Sequence, residues 1–169
     1  MTTAEVEVAV ANYFGVRQNM IVTNVKWGLG FEHELDVLVL TKSSYAHEVE
    51  LKISKQDLMR DFHKKHNHES NKIKSLYYAM PCDMENCANI IPSHAGILIA
   101  EWREVWECHS GKQIFIGNKL GCRKIREPRI NKNANRLTDK EVLHFGKLAT
   151  MRIWRMKKNR LKEMGVETL

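Results

Sequence analysis

The sequence predicts one α/β domain with a mixed central β-sheet, helices on its faces and a basic helix at its C-terminal end. A chain of 169 residues that is 43% hydrophobic can bury one core of ordinary size. Both ends show apolar residues at helical spacing. The segments between them are short, rich in β-branched residues and separated by turn residues. These features favour helices packed on a sheet.

The first helix is predicted over Thr2–Tyr13. Val6, Val10 and Tyr13 fall on one helical face, and Thr2 with Glu5 fits a capping box. Three strands should follow this helix, with Gly28-Leu29-Gly30 turning the chain after the first. Their predicted ranges are Met20–Trp27, Leu35–Thr41 and Tyr45–Ile53.

The second half should continue with a helix, more strands and a long final helix. Ser54 is predicted to cap a helix from Lys55 to about Lys65. Strand patterns occur at Leu76–Met80 and Ala95–Ala100, and weaker ones at Val105–Cys108 and Gln113–Ile116. The capping-box pattern Thr138-Asp139-Lys140-Glu141 opens the last helix. Its apolar stripe comprises Val142, Phe145, Ala149, Ile153 and Met156.

The charge is divided unevenly along the chain. Residues 1–111 hold 11 Lys and Arg against 15 Asp and Glu, and residues 112–169 hold 16 against 5, so charges of −4 and +11 sum to +7. We expect a core at 1–111 and a basic extension at 112–169 that packs on or follows it. A positive excess of this kind favours a polyanionic partner such as nucleic acid.

The sequence carries no pattern for export or membrane insertion. It has neither an N-terminal apolar segment of signal-peptide type nor an apolar run of spanning length, so we expect a cytoplasmic protein with no membrane partner. Two disulfides among the four cysteines are an alternative, but reduced thiols are favoured in such a chain. Their spacing lacks the C-x-x-C pattern of a structural zinc site.

The strand that holds Glu50-Leu51-Lys52 follows the strand that holds Asp36. Alternate residues of a strand share a face, so Glu48, Glu50 and Lys52 point the same way. A hairpin with the odd loop Lys42-Ser43-Ser44 sets Asp36 opposite Glu50, with Cβ atoms roughly 5 Å apart. Two carboxylates this close repel each other, and a divalent cation between them would relieve the repulsion. Lys52 then lies where it can stabilise negative charge or position a water.

The succession of motifs from about Thr3 to Gly111 resembles the PD-(D/E)XK nuclease superfamily, and within it the MmcB-like family of DNA-repair proteins. Leu35-Asp36 corresponds to the first motif element and Glu50-Leu51-Lys52 to the second. The surrounding segments that support the resemblance are Val49-Glu50-Leu51-Lys52-Ile53-Ser54, Asp57, Asp61-Phe62, Leu76-Tyr77-Tyr78-Ala79-Met80-Pro81, Ile91-Pro92 and Ala95-Gly96-Ile97-Leu98-Ile99-Ala100.

This resemblance implies a restriction-endonuclease-like core that hydrolyses DNA with Mg²⁺ or Mn²⁺, in DNA repair or in the processing of phage or mobile-element DNA. It implies that Asp36, Glu50 and the main-chain carbonyl of Leu51 bind the metal, and that Lys52 completes the catalytic set with Asp36 and Glu50. Glu5 and Glu7 are candidates for the further acid that many such nucleases carry on their first helix. The DNA structure cleaved, endo or exo cleavage and the oligomeric state stay open, a homodimer included.

Two basic groups are predicted to contact DNA phosphates. The first follows the second helix and comprises Lys64, Lys65, His66 and His68. The second is on the last helix, where Arg152 and Arg155 are followed by Lys157, Lys158, Arg160 and Lys162. Metal binding is the alternative for the histidines. A calmodulin-target or membrane-surface role is the alternative for the helix.

Other interpretations of the same residues predict different behaviour. Asp36 could merely end a turn, with Glu50 and Lys52 on a solvated strand face. A nuclease fold that has lost its chemistry would bind DNA without a metal and cleave nothing. A protein-interaction adaptor that uses the basic tail would neither bind nor cleave DNA. The intact Asp, Glu and Lys set favours the enzyme.

Overall fold

The computed structural model describes residues 1–26, 33–61 and 70–165. The helices are α1 (Thr3–Phe14), α2 (Lys55–Asp61) and α3 (Asp139–Glu163). The strands are β1 (Met20–Val25), β2 (Leu35–Leu40), β3 (Ala46–Leu51), β4 (Ile73–Pro81), β5 (Gly96–His109) and β6 (Lys112–Arg126). A short 3₁₀ helix at Cys82–Cys87 follows β4. Cys82, Cys87, Cys108 and Cys122 are free thiols.

In the described part of the chain, six strands form one mixed sheet in the order β1-β2-β3-β4-β5-β6. The pairs β1–β2, β2–β3 and β5–β6 are antiparallel, whereas β3–β4 and β4–β5 are parallel. The predicted mixed α/β architecture is therefore confirmed. Because the parallel pairs lie at the centre, both faces of β3 and β4 are covered and buried, as is usual for parallel strands.

The β2–β3 hairpin has the register that the sequence predicts. Its pairs run from Leu40–Ala46 to Val37–Val49. The loop between them closes through the N–H of Thr41, which donates to the carbonyl of Tyr45 at 3.0 Å. Ser44 has a φ of 61°, the left-handed conformation of a three-residue loop. The odd loop length is thus confirmed, and it fixes which side chains of the two strands share a face.

The core lies on both faces of the sheet. Helix α1 packs on one face through Val6, Ala9 and Val10, against apolar residues that include Val49 and Leu51. On the other face, Phe145 of α3 packs over β1 and β2, and Leu58 of α2 packs over β4 and β5. The side chains of β3 on this second face therefore lie between two apolar clusters. Glu48 and Glu50 occupy these positions.

Both predicted capping boxes are present. Thr2 pairs with Glu5 at the start of α1, and Thr138 pairs with Glu141 at the start of α3. The predicted apolar stripe of α3 is buried only in its first part, because Ile153 and Met156 are 54% and 70% exposed. The helix is longer than the sheet face that covers it, so its second half extends into solvent. In the part of the chain that the structure describes, no helix is long and apolar enough to cross a membrane.

Strands β5 and β6 differ from the prediction. The weak patterns at Val105–Cys108 and Gln113–Ile116 are not separate strands but parts of two continuous ones of 14 and 15 residues. Charged residues such as Glu101 and Arg103 interrupt the apolar pattern, and a two-stranded ribbon open to solvent accepts them. The turn between these strands contains Gly111, so the predicted boundary after residue 111 falls inside one hairpin. The basic segment therefore supplies an edge strand to the sheet.

Candidate active site

The predicted catalytic residues lie in one row across the sheet. The paired residues of β2 and β3 end at Val37 and Val49, and Asp36 and Glu50 are the adjacent residues of the two strands. Glu50 is in turn paired with Tyr78 of β4. Glu50 is 5% exposed and Lys52 is 3% exposed. A solvated strand face, the plain alternative for these residues, is therefore wrong.

Glu50 and Lys52 form a buried ion pair. The ammonium group of Lys52 donates a hydrogen bond of 2.9 Å to the carboxylate of Glu50. Lys52 Nζ also lies 5.8 Å from the centre of the Tyr78 ring. Burial, then Asp36 and to a smaller extent Glu48, raise the pKa of Glu50 to about 7, against the opposing effect of Lys52.

Asp36 is held against the next strand by the main chain. Its carboxylate accepts a hydrogen bond of 2.9 Å from the N–H of Leu51. This contact places Asp36 beside Leu51, whose carbonyl is the predicted third metal ligand. Asp36 is half-buried, in contrast to Glu50. The row is therefore more open to solvent at Asp36 than at Glu50.

The structure adds two residues to which the sequence assigned no role. His33 Nε2 lies 2.8 Å from a carboxylate oxygen of Glu48, which is fully buried. Ligand atoms of His33, Glu48 and Glu50 all lie within 4.8 Å of one another. The alternation of β3 did place Glu48 beside Glu50, whereas His33 comes before β2 and no periodic pattern marks it.

Of the two candidate acids on α1, Glu5 and Glu7, only Glu7 interacts with the described residues of the predicted active site. Glu5 is used by the capping box, since its carboxylate accepts the N–H of Thr2 at 2.6 Å. Glu7 is half-buried, and its pKa is raised by burial and by the charge of Asp36, while Arg152 lowers it. Of the two candidates, Glu7 is therefore the acid whose charge is felt at the predicted site.

The predicted DNA contacts fall into three groups. Lys64, Lys65, His66 and His68 lie outside the described residues. Arg155 is exposed on α3. Arg152 is half-buried and donates to Thr23 Oγ1 at 3.4 Å and to the main-chain carbonyl of Asn24. Arg152 and Arg155, for which the sequence predicts the same role, therefore have different surroundings.

The carboxylates of this region are of the chemical type that binds a divalent cation, and the group whose ligand atoms lie together in the described residues is His33, Glu48 and Glu50. Carboxylate oxygens are the ligands that Mg²⁺ and Mn²⁺ prefer. Asp36 raises the pKa of Glu50, which is the electrostatic cost that a cation between the two carboxylates would remove. Asp36 and Glu50 could hold such an ion together with the carbonyl of Leu51. Glu7 and Glu48 are close enough to influence its charge environment.

Comparison with known proteins gives a fold but no activity. No protein-family model matches the chain, and no curated protein matches its sequence. A solved structure of a protein of unknown function from Silicibacter pomeroyi is similar to this chain, with a TM-score of 0.62 and 16% sequence identity. The match covers 96% of this chain and 94% of that one. At this identity the likeness shows a shared fold alone.

Proposed function

We propose that the protein is a metal-dependent deoxyribonuclease that hydrolyses phosphodiester bonds in DNA repair or in the processing of phage or mobile-element DNA. One observation carries the proposal. Asp36 accepts a hydrogen bond from the N–H of Leu51 and acts electrostatically on Glu50, and buried Lys52 donates to Glu50 at 2.9 Å. A site that served stability alone gains little from an acid pair and a lysine in this position, because burying charges costs more than burying apolar groups.

Each residue has a definite role in the proposed reaction. A bound Mg²⁺ or Mn²⁺ supplies Lewis-acid polarisation of the phosphate and lowers the pKa of a water. Asp36 and Glu50 would hold the ion through their carboxylates. Lys52 would donate a hydrogen bond to the attacking water or to a phosphate oxygen, which would stabilise the negative charge that develops. The hydrogen bond from Leu51 to Asp36 keeps the acid oriented before substrate arrives.

The distribution of charge supports DNA as the substrate. The exposed second half of α3 carries the basic residues Arg155, Lys157, Lys158, Arg160 and Lys162. A phosphate backbone that lies along such a helix is bound through counterion release, which requires no sequence-specific contact. The acidic row would repel the same backbone in the absence of a cation. Substrate and metal should therefore bind cooperatively.

The test is a cleavage assay on a panel of labelled DNAs that includes single strands, duplexes, flaps and junctions, with Mg²⁺, with Mn²⁺ and with chelator. We expect metal-dependent cleavage by the parent. Asp36→Ala should lose both cleavage and Mn²⁺ binding measured by calorimetry, because it removes a ligand. Asp57→Ala, which removes an acid from α2 outside the row, is the control and should retain both.

The competing candidate is a nuclease fold that binds DNA and has lost its chemistry. Metal-independent binding with no cleavage of any DNA on the panel would establish that candidate and reject the nuclease. Cleavage that persists unchanged in Asp36→Ala would point to a different site or to a contaminant.

A further inference from the structure

Arg152 is anchored at the end of the strand that neighbours the candidate active site. Its guanidinium group donates to Thr23 Oγ1 at 3.4 Å and to the carbonyl of Asn24, both in β1. Arg155, one helical turn later, is exposed. The two contacts fix the Arg152 guanidinium group against the sheet, whereas Arg155 extends into solvent.

The anchor itself lies next to Asp36. The β1–β2 register pairs Thr23 with Val37 and Val25 with Leu35, so Asn24 lies opposite Asp36. Asn24 has a φ of 50°, a left-handed conformation that asparagine adopts more readily than most residues other than glycine. This residue interrupts the regular strand, and its carbonyl accepts a hydrogen bond from Arg152. The fold therefore places one arginine beside the strand that holds Asp36.

The charge of Arg152 reaches the site. Glu7 responds both to Asp36, which raises its pKa, and to Arg152, which lowers it. Both Glu7 and Asp36 are half-buried, whereas Glu50 and Lys52 are buried. Glu7 therefore lies within electrostatic range of both Arg152 and Asp36.

The guanidinium group keeps donors for a ligand. Arginine has five N–H donors, and the contacts that the structure describes for Arg152 use two of its nitrogens. Arginine binds phosphate through two parallel hydrogen bonds, which gives orientation as well as affinity. A guanidinium group held in place by these two contacts and with further N–H donors suits a single phosphate better than a passing backbone.

We propose that Arg152 binds the non-bridging oxygens of one specific phosphate, the scissile phosphate or its immediate neighbour, and orients it against Asp36 and Glu50. The inference rests on the proposed function and refines it. In this arrangement the exposed basic residues of α3 attract DNA in general, and Arg152 selects the position at which it is cut.

A binding experiment in chelator tests the contact without the reaction. Single phosphates around the cleavage position of a DNA substrate are replaced one at a time by neutral methylphosphonates. We expect the parent to lose about tenfold in affinity at one position, the effect of one charged hydrogen-bonded pair. Arg152→Ala should show no additional loss at that position. Arg155→Ala is the matched control and should keep the position-specific loss while binding all DNAs more weakly.

Kinetics provide the second measurement. Arg152→Ala should lower kcat by about tenfold or more with a smaller change in KM, because orientation matters most in the transition state. Added guanidinium ion should restore part of the lost rate. Thr23→Val removes one anchoring contact and keeps the charge, so it should reduce the rate less than Arg152→Ala. Thermal unfolding of each variant separates loss of orientation from loss of fold.

The outcomes are distinct. If the parent binds or cleaves DNA and Arg152→Ala behaves like Arg155→Ala in both experiments, the role of Arg152 is overturned and the proposed function stands. A parent that neither binds nor cleaves DNA overturns both. Loss of the position-specific effect in Arg152→Ala with its unfolding temperature retained supports the inference.

Discussion

Lys52 and Glu50 lie two residues apart on one strand, share one face of the sheet and are joined by a hydrogen bond of 2.9 Å in the protein interior. Glu50 is additionally opposed by Asp36 from the neighbouring strand. Glu50 thus interacts with the ammonium group of Lys52 and with the charge of Asp36, and a divalent cation would relieve the repulsion between the two acids. This arrangement predicts one role for Lys52 and a different one for Asp36 and Glu50.

Lys52→Ala should abolish or greatly reduce cleavage and preserve Mn²⁺ binding. The loss of one oriented charged donor typically lowers the rate on the order of a hundredfold or more. Metal binding should persist, or strengthen, because the lysine competes with the cation for Glu50. A cleavage time course beside Mn²⁺ calorimetry is the measurement. Lys55→Ala, at the exposed start of α2, is the control, and a Lys52→Ala variant that cuts at the parent rate would contradict the assigned role.

The sequence predicts the hairpin of this site well because local rules fix it. The three-residue loop at Lys42-Ser43-Ser44 sets the register, and the register sets which side chains of β2 and β3 meet. Capping boxes at Thr2 and Thr138 mark the starts of both long helices for the same reason. In each case the responsible residues are close together in the sequence.

Features that depend on distant parts of the chain could not be predicted in this way. His33 meets Glu48, and Arg152 meets Asn24, only because the sheet and α3 assemble. Periodicity predicts that α3 has an apolar side, but it does not tell where the sheet beneath that side ends. Ile153 and Met156 therefore belong to the predicted apolar stripe and are nevertheless exposed.

Neutralising Arg155, Lys157 and Lys158 together should flatten the salt dependence of DNA binding. The logarithmic slope scales with the number of phosphates contacted, so three lost contacts should reduce it by about 2 to 3. Fluorescence anisotropy at several salt concentrations measures the slope. A triple change of Lys112, Lys119 and Lys132 to Ala, all exposed and off this helix, alters the net charge equally. Equal slopes in the two variants would assign the basic helix to another partner.

Gly96→Ala should destabilise the fold by roughly 1–3 kcal/mol, because close packing leaves no room for a methyl group. A Cβ at this position would lie 2.6 Å from Cδ1 of Tyr77 and 3.0 Å from Cδ of Pro128. Gly146→Ala is the matched control. Its Cβ would meet Met20 Cε at 3.9 Å, and alanine favours the helix there by up to about 1 kcal/mol. Urea unfolding of both variants measures the change in the free energy of unfolding. An equal effect of Gly96→Ala and Gly146→Ala would refute the prediction.

Glu141 should make stability depend on pH in the acid range. A hydrogen bond from Lys72, and then the main-chain N–H of Thr138, lower the Glu141 pKa from 4.5 to about 2. A carboxyl with a depressed folded-state pKa contributes stability that is fully present above the unfolded value and is lost as the pH falls through the folded one. Glu141→Gln should therefore cost about 1–2 kcal/mol near neutral pH, a figure that includes loss of the charged cap.

The cost of Glu141→Gln should shrink as the pH is lowered from about 4.5 towards about 2, because the parent then loses the charge that the variant already lacks. Denaturant unfolding of the parent and the variant across this range gives the two curves. Asp139→Asn, which removes a neighbouring acid of the same first turn outside the capping box, is the control and should show a smaller difference. A gap that stays constant with pH would mean that Glu141 stabilises α3 through packing and geometry, and that its ion pair with Lys72 contributes nothing measurable to folding.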